Sequence, residues 1–398
     1  MELCIKNAKV VDWCKVFKGD VYIKDGIITE IGKDLKKNCN TIDADGLTLM
    51  PSFIDLHAHF RDPGLTYKED IESGSKAAVR GGFTMVNLMA NTNPVCSSMD
   101  TVNYVKDKTK EIGLIDIHQV VSITRNFDGQ DISHLDEIDS SIKVISEDGK
   151  DVVDSMVMLK AMKKAAEKDF TVMCHCEDPY LTNYDMRIAE NIMTKRNIEF
   201  SKITNCKLHI AHVSTLEAMS DIIEAKRQGL KVTCEVSPHH LALTNKYNYR
   251  VNPPLREKGD IDFLIKAIKE GYVDAIATDH APHSEEDKTK GSPGISGLET
   301  AFSTTYTKLV REENLSLSKL SEIMSKNPSE LLGVNKGKIE IGYEGDLVLL
   351  DLEASYEINS KEFCSKGKNT PLDGMKVYGK IVKTIKGGKE VYSNDEYN

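Results

Sequence analysis

Eight apolar, strand-like runs alternate with amphipathic helical stretches through the middle of this 398-residue chain. Helical patterns such as 153–162 and 215–223 separate most of the runs. The runs lie around residues 52–59, 83–90, 115–123, 142–147, 170–176, 207–213, 231–237 and 273–279. Eight such units over roughly 280 residues are typical of a (β/α)8 barrel, which usually takes about 250 residues. The sequence therefore predicts an α/β protein built on a TIM barrel.

A doubly wound open sheet is the alternative fold for such an alternating pattern. That fold is expected to carry a Gly-rich phosphate-binding turn directly after its first strand. Here the first run is followed by His59-Phe60-Arg61-Asp62-Pro63, which has no such turn. The barrel is therefore the favoured interpretation.

Both ends of the chain read as short strands. Residues 21–23 and 27–31 flank an Asp25-Gly26 pair, which is a strong hairpin signal. Residues 346–351 and 380–385 are strand-like as well, with Gly387-Gly388 as a turn. Because neither end has enough strands to bury a core alone, we expect the two to combine into one small β-sandwich. The predicted domains are a composite one of residues 1–49 and 339–398 and a barrel of residues 50–338.

Charge and composition exclude several classes of partner. A formal charge of −10 argues against nucleic acid and anionic membranes, which attract basic surfaces. No run approaches the ~18 apolar residues that span a bilayer, and residues 1–6 lack the pattern of a secretory signal. Nine cysteines without paired spacing indicate reduced thiols. We therefore expect a cytoplasmic protein whose partner is neither nucleic acid nor a membrane.

The first barrel strand ends in His57-Ala58-His59. Side chains alternate along a strand, so the two imidazoles point the same way from neighbouring positions. Such a pair forms half of a divalent-metal site, and zinc is the usual ion. Arg61 continues on the same side and offers a planar fork suited to a carboxylate.

Later strands end in further residues that bind metals. In a TIM barrel these ends meet at one mouth. The candidates are Glu147 and Asp148 on the fourth strand, His175 on the fifth, His209 and His212 on the sixth, and Asp279, His280 and His283 on the eighth. With His57 and His59, one imidazole each from the fifth and sixth strands and one carboxylate each from the fourth and eighth give four imidazoles and two carboxylates, which is enough for two ions sharing one oxygen. The sequence therefore predicts a two-metal site.

Strand alternation also removes candidates from the metal site. Cys174 and Cys176 must point away from the face that His175 uses, so we interpret them as small buried hydrophobic residues. His209 and His212 are three positions apart and face opposite sides, so only one can look inward. His212 lies nearer the strand end and is the predicted ligand.

Several motifs, taken in order, identify a family. They are the His57-x-His59-x-Arg61-Asp62-Pro63-Gly64 segment, Met89-Ala90-Asn91-Thr92-Asn93-Pro94, Glu147-Asp148-Gly149, Ala211-His212-Val213-Ser214-Thr215, Asn252-Pro253-Pro254-Leu255-Arg256, Thr278-Asp279-His280-Ala281-Pro282-His283 and Ser365-Lys366-Gly367-Lys368-Asn369-Thr370-Pro371. Each motif alone is weak, but their joint order covers nearly the whole chain. The chain resembles the amidohydrolase superfamily and, within it, the bacterial class I dihydroorotases.

The resemblance implies a role for each predicted metal ligand. His57, His59 and Asp279 would hold one zinc ion. The other zinc would be held by His175 and His212, with Asp148 bridging the pair. Asp279 would also carry the proton during the reaction. Glu147 stands where the family often has a second Asp, and its side chain should point away from the metals.

The resemblance also implies a substrate site. Arg61, Asn91 and His283 would clamp a carboxylate, with His59 beside them. Asn252 and the backbone near Pro293 and Gly294 would hold the ring. Residues 284–294 would form a mobile rim next to the substrate.

The implied activity is the reversible, zinc-dependent closure of N-carbamoyl-L-aspartate to L-dihydroorotate in pyrimidine biosynthesis. Two alternatives stay open: another cyclic amidase, such as a hydantoinase or allantoinase, and a non-catalytic homologue that only scaffolds a pathway enzyme. The family suggests a homodimer and leaves open an association with aspartate transcarbamoylase.

Overall fold

Strands dominate both ends of the chain and alternate with helices between them, in a computed structural model that describes residues 1–397. The strands are β1 (Glu2–Asp12), β2 (Lys15–Lys24), β3 (Ile27–Gly32), β4 (Asn40–Asp43), β5 (Thr48–Pro51), β6 (Phe53–Ala58), β7 (Phe83–Leu88), β8 (Asp116–Gln119), β9 (Val121–Ser122), β10 (Val144–Ser146), β11 (Thr171–Cys174), β12 (Lys207–Ile210), β13 (Val232–Val236), β14 (Ala275–Ile276), β15 (Leu347–Glu357), β16 (Lys376–Lys386) and β17 (Lys389–Ser393). The helices are α1 (Ile71–Arg80), α2 (Met99–Ile112), α3 (Ser155–Lys168), α4 (Met186–Thr204), α5 (Leu216–Arg227), α6 (Pro238–Ala242), α7 (Lys258–Lys269), α8 (Glu285–Thr289), α9 (Ala301–Thr305), α10 (Leu317–Ser321) and α11 (Asn327–Leu332). Wider π-helical turns continue two of them, Tyr306–Glu312 after α9 and Glu322–Lys326 after α10.

Strands β6 to β14 build the barrel. They pair in parallel as one sheet of β6, β7 and β8 and a second sheet running from β9 to β14. Only Val120 separates β8 from β9, so these two pieces act as the third strand of the ring. The ring closes where Ala58 bridges His280 in parallel, just beyond β14. The eight predicted strand runs thus form the (β/α)8 barrel in the predicted order.

Local sequence explains why the barrel elements start and stop where they do. Every residue of β6 and β7 is buried, as expected for parallel strands covered on both faces. The Asp70 carboxylate accepts a hydrogen bond from the backbone N–H of Ser73 at the start of α1. Gly113 closes α2 with a φ of 70°, which favours glycine. These signals fix where the helices begin and end. The connections that follow the barrel strands contain the candidate site residues.

Strands from both ends of the chain form a second, separate sheet. Its order is β17-β16-β15-β5-β1-β2-β3, with β4 beside β1. The predicted turns at Asp25-Gly26 and Gly387-Gly388 are present, and all four residues have positive φ. The sheet encloses an apolar core of its own, which includes Ile5, Val21, Ile23, Leu349 and Ile385. The two termini therefore combine as predicted, and hydrogen bonding runs continuously through their strands.

The sheet and the barrel meet at β5. This strand pairs with β1 and with β15, so the terminal sheet extends to Pro51, two residues beyond the predicted boundary. β6 begins at Phe53, and the chain therefore passes from sheet to barrel within a few residues. The limits 1–49 with 339–398, and 50–338, stay a prediction.

The structure can be compared with the sequence predictions about membrane-spanning segments and cysteines. Among the residues that the structure describes, no helix is both long and apolar enough to cross a membrane. All nine cysteines, which lie between Cys4 and Cys364, are free thiols. Cys174 and Cys176 are buried in the barrel core, as predicted.

Candidate active site

All six predicted metal ligands lie at the carboxyl ends of barrel strands. His57 is near the end of β6 and His59 follows it. Asp148 comes two residues after β10, and His175 directly after β11. His212 follows β12 and Asp279 follows β14. Because parallel strands present these ends at one face, residues far apart in sequence converge there.

One group of ligand atoms joins the first and last strands of the ring. A nitrogen of His57, a nitrogen of His59 and an oxygen of Asp279 all lie within 4.8 Å of one another. His59 Nε2 is 3.2 Å from Asp279 Oδ1, and His57 Nε2 is 3.8 Å from the same oxygen. This is the first of the two predicted ligand sets.

Asp148 lies at the centre of the second group. Its Oδ1 is 3.1 Å from His57 Nε2 and 3.4 Å from His175 Nδ1. His212 Nε2 is 3.9 Å from the same oxygen and 2.9 Å from His175 Nδ1. The other oxygen, Oδ2, is 3.5 Å from His59 Nε2. The Asp148 carboxylate thus lies between the two sets of imidazoles, where a bridging ligand would be.

The arrangement fits divalent cations. His57 Nε2 and Asp148 Oδ1 are buried, and neither has a hydrogen-bond partner within residues 1–397. Buried polar atoms are nearly always satisfied, so such a pair facing one centre fits the coordination of a cation. Imidazole nitrogen with carboxylate oxygen is a donor set that zinc accepts. The cluster can therefore bind metal.

The electrostatics of the cluster also favour positive charge at its centre. Burial raises the pKa of Asp148, but His57, His175 and His212 outweigh it and hold that pKa well below its usual range. Burial likewise opposes the ionisation of Asp279, yet His59 and His57 lower the pKa of that carboxyl. Both carboxylates are therefore charged at neutral pH, as metal ligands must be.

Two glutamates support the histidines, the buried Glu235 and the half-buried Glu177, and sequence reasoning missed both. Glu235 Oε1 is 2.8 Å from His57 Nδ1, and its Oε2 is 3.1 Å from His209 Nε2. Glu177 Oε2 is 3.0 Å from His175 Nε2 and accepts a hydrogen bond from the Asn252 amide. Carboxylates behind metal-binding imidazoles fix the ring orientation and the tautomer.

One signal could have identified Glu235. It is a charged residue inside the run 231–237, which reads as a strand buried on both faces. A buried charge requires a partner, and a neighbouring strand is where the partner would be. Glu177 carries no comparable signal, because it follows β11 in a loop.

A cavity of about 210 Å³ opens beside the cluster. Every predicted substrate-binding residue lines it: His59, Arg61, Asn91, Asn252, His283, Pro293 and Gly294. Asp148, His175 and Asp279 form part of its wall. The structure therefore brings the predicted metal ligands and the predicted substrate residues together at one pocket.

Arg61 is the main cationic group of this pocket wall. Its Nε is buried and has no hydrogen-bond partner in the described chain. Its backbone has a φ of 59°, which is rare for a residue with a side chain. His212 and Asp279 share this property, with φ values of 32° and 46°. Strained backbone at three predicted site residues is typical of a functional centre.

The polar neighbours of Arg61 are held in place. Asn91 Oδ1 is 2.8 Å from His59 Nδ1, which leaves the Asn91 amine free to face the pocket. Burial, followed by the charges of Arg61 and Lys68, lowers the pKa of His283 to about 3. His283 is therefore neutral and available as a hydrogen-bond donor.

The segment 284–294 is partly ordered by a short helix. α8 occupies Glu285–Thr289, and the Lys288 ammonium donates to the backbone carbonyls of Arg250, Ser292 and Gly294. Glu147 points away from the cluster, as predicted, because its carboxylate accepts a hydrogen bond from the Thr124 backbone N–H. His209 lies behind His57 rather than in the pocket, which agrees with the choice of His212.

Comparison with known proteins places this geometry in a family. The amidohydrolase family model matches residues 48–391. A dihydroorotase from Clostridium botulinum (strain Eklund 17B / Type B) is 57% identical over 396 residues, covering 98% of this chain and 100% of that protein. A dihydroorotase from Ruminiclostridium cellulolyticum is 41% identical over 424 residues, covering 98% of each.

Solved structures show the same architecture. The dihydropyrimidinase from Brevibacillus agri NCHU1002 superposes with a TM-score of 0.90 at 26% identity, covering 99% of this chain and 95% of its own. The L-hydantoinase (dihydropyrimidinase) from Arthrobacter aurescens gives a TM-score of 0.91 at 26% identity, covering 98% and 96%. The chain therefore belongs to the amidohydrolase family and, within it, to the dihydroorotases.

Proposed function

We propose that the protein catalyses the reversible closure of N-carbamoyl-L-aspartate to L-dihydroorotate with loss of water, as a step of pyrimidine biosynthesis. The observation that carries the proposal is the position of Arg61 in the 210 Å³ pocket beside the histidine and aspartate cluster, with a buried Nε that has no hydrogen-bond partner within residues 1–397. A ring-borne carboxylate is the substrate group that such a guanidinium recognises.

The cluster would hold two zinc ions. His57, His59 and Asp279 form the first ligand set, His175 and His212 contribute to the second, and Asp148 lies between them. When bound, the metal would supply an activated water and polarise the amide carbonyl of the ring.

The remaining chemistry belongs to residues of this chain. Arg61, Asn91 and His283 bind the substrate carboxylate and orient the ring. In the hydrolytic direction Asp279 accepts a proton from the attacking water at a carboxylate oxygen and returns it to the leaving ring nitrogen. The C–N bond of the ring breaks as the new C–O bond forms, and ring closure reverses each step.

The test is a hydrolysis and cyclisation assay on purified protein, with the metal content quantified in the same sample. We expect turnover of dihydroorotate together with bound zinc. Hydantoin and allantoin serve as comparison substrates. Absence of dihydroorotate turnover in the metal-loaded protein would refute the proposal.

A cyclic amidase of the hydantoinase type is the second candidate, because the solved dihydropyrimidinases superpose over nearly the whole chain. Those enzymes act on rings, but a hydantoin ring needs no partner for a carboxylate. Faster turnover of hydantoin than of dihydroorotate would favour this candidate. A non-catalytic scaffold is disfavoured, since all six predicted ligands converge.

We further propose a cytoplasmic homodimer. Ile188 and Ile192 lie four residues apart on α4, and Tyr184 lies just before that helix; the exposed fractions of Tyr184, Ile188 and Ile192 are 81%, 37% and 47%. Exposed apolar side chains grouped at the start of a helix support association with a second copy. Sedimentation equilibrium of the purified protein measures whether it is a dimer. Sedimentation of a mixture with aspartate transcarbamoylase tests the association with that enzyme, which is the remaining predicted partner.

A further inference from the structure

Residues 365–369, here called the C-terminal bracket, belong to a sequence motif that the proposed chemistry does not use. The bracket follows β15 and precedes β16, so it lies in a connection between strands of the terminal sheet. It nevertheless reaches across to the barrel mouth, where it contacts the loops after the first and the eighth barrel strands.

The first half of the bracket binds the loop after β6. Ser365 Oγ and the backbone N–H of Lys366 both donate to the buried carboxylate of Glu69. The Lys366 ammonium donates to the Thr66 carbonyl at 2.7 Å and to Asp70. Glu69 Oε2 also lies 3.3 Å from His280 Nε2. These contacts anchor the bracket without touching the substrate pocket.

Asn369 binds the loop after β14 with both ends of its amide. Its Oδ1 accepts hydrogen bonds of 2.9 Å from the His283 backbone N–H and from Ser296 Oγ. Its Nδ2 donates to the carbonyls of Gly294 at 3.0 Å and Ala281 at 3.2 Å. Both His283 and Gly294 line the pocket.

Gly367 shows how closely the bracket and this loop approach each other. A Cβ atom built on Gly367 would lie 2.6 Å from Pro282 Cβ and 2.8 Å from Ser296 Oγ. Any larger residue would therefore push the bracket away from the loop. Glycine at this position allows the neighbouring Asn369 to reach four partners.

We propose that Asn369 is a positioning residue for the carboxylate clamp. This inference rests on the proposed function, and it assigns to the terminal module a part in the substrate site. An amide is the only uncharged side-chain group that donates and accepts twice in this geometry. Without it the His283 N–H loses its acceptor and the Gly294 carbonyl loses one of its donors, while the contacts among the metal ligands are unchanged.

The experiment compares Asn369→Ala and Asn369→Asp with the wild type. We expect the KM for dihydroorotate to rise on the order of tenfold to a hundredfold, because small displacements of binding groups are costly. We expect kcat to change less than about threefold and zinc content to stay the same. The aspartate variant keeps both acceptor contacts and the size of the side chain, so it decides the question if the alanine variant does not fold.

Asn359→Ala is the matched control, since Asn359 is an exposed asparagine of the same connection and lies outside the pocket. It should leave KM unchanged. Hydrogen exchange at residues 281–296 provides a readout that needs no activity. It should become faster in both Asn369 variants, and at the His283 amide itself in Asn369→Ala, which has lost the acceptor of that amide.

The two hypotheses fail separately. Wild-type KM and wild-type exchange in a folded Asn369 variant overturn the positioning role, whatever the substrate. A wild-type enzyme without dihydroorotate turnover refutes the proposed function, and the exchange rates then decide the positioning role alone.

Discussion

At the scale of single residues, Asp279 combines two roles in one carboxylate. It lies 3.2 Å from His59 Nε2 and forms part of the pocket wall, so it can bind metal and reach the substrate. Asp279→Asn keeps an oxygen for the metal and loses the site that accepts the proton. We expect kcat to fall at least about a hundredfold, in the range that general acid–base catalysis supplies, while part of the metal stays bound.

The measurement is steady-state hydrolysis with metal analysis on the same protein. Asp262→Asn provides the control, because Asp262 forms an exposed pair with Lys258 on α7. An Asp279→Asn enzyme with near wild-type kcat would contradict the proton role. A variant that has lost all its metal would show instead that Asp279 acts mainly as a ligand.

Arg61 should govern substrate affinity. Replacing it by alanine removes the cation from the pocket, and charge-assisted hydrogen bonds of this kind are worth about 1.5–3 kcal/mol. We therefore expect KM to rise about tenfold to a hundredfold with a smaller effect on kcat. Arg311→Ala, which breaks a surface pair with Glu353, should leave both constants unchanged. Unchanged saturation behaviour in the Arg61 variant would argue against the clamp.

Sequence reasoning could find the residues of the site but not the partners that their supporting residues bind. His57, His59, His175 and His212 were predictable, because strand alternation and strand ends are local properties of the chain. Glu235 and Asn369 act through partners 178 and 86 positions away. Only the folded structure reveals such pairs, since no spacing rule connects them.

At the scale of elements, β13 contributes to the site through Glu235, which stands behind the His57 ring of β6. Burial raises the pKa of Glu235, but His209 and His57 outweigh it and lower that pKa to about 2. Glu235→Gln removes the charge that orients His57. We expect metal affinity to fall about tenfold to a hundredfold, as for other partners of metal-binding histidines.

Competition with a chelator measures this effect. Glu224→Gln, on the exposed side of α5, is the control and should not alter metal affinity. Equal chelator resistance in the Glu235 variant and the wild type would show that His57 needs no carboxylate behind it. A comparable loss of affinity in the control would indicate an effect of overall charge.

The strands of the barrel were predictable from the sequence, whereas the strand order of the terminal sheet was not. The eight runs match barrel strands because mostly apolar runs separated by helices have few alternatives. The sheet order was not predictable, since β5 joins β1 in parallel and β15 in antiparallel fashion. These pairings depend on how the two termini meet, which the hydrophobic pattern of either one does not encode.

At the scale of the whole molecule, Lys336 connects the barrel with the terminal sheet. Its ammonium lies 2.9 Å from Asp116 of β8 and 2.6 Å from Asp346, which directly precedes β15, and it also pairs with Glu344. The Lys336 side chain is only 4% exposed. One buried cation thus forms ion pairs with carboxylates from both parts of the molecule.

Lys336→Met should destabilise the protein by about 3 kcal/mol at pH 7, the lower end of the range for removing one partner of a buried pair, because two of the carboxylates are partly exposed. Burial raises the pKa of Asp116, but Lys336 and Lys386 lower it below its usual value. Stability from this carboxylate is therefore present above about pH 4, its unfolded pKa, and is lost as the pH falls further.

Urea unfolding at pH 7 and pH 3 should show that the difference in unfolding free energy between wild type and Lys336→Met becomes smaller in acid. Lys258→Met, which breaks an exposed pair on α7, should change stability by less than about 1 kcal/mol at either pH. An equal difference at both pH values for Lys336→Met would mean that packing of the lysine stem, rather than its charge, holds the two parts together.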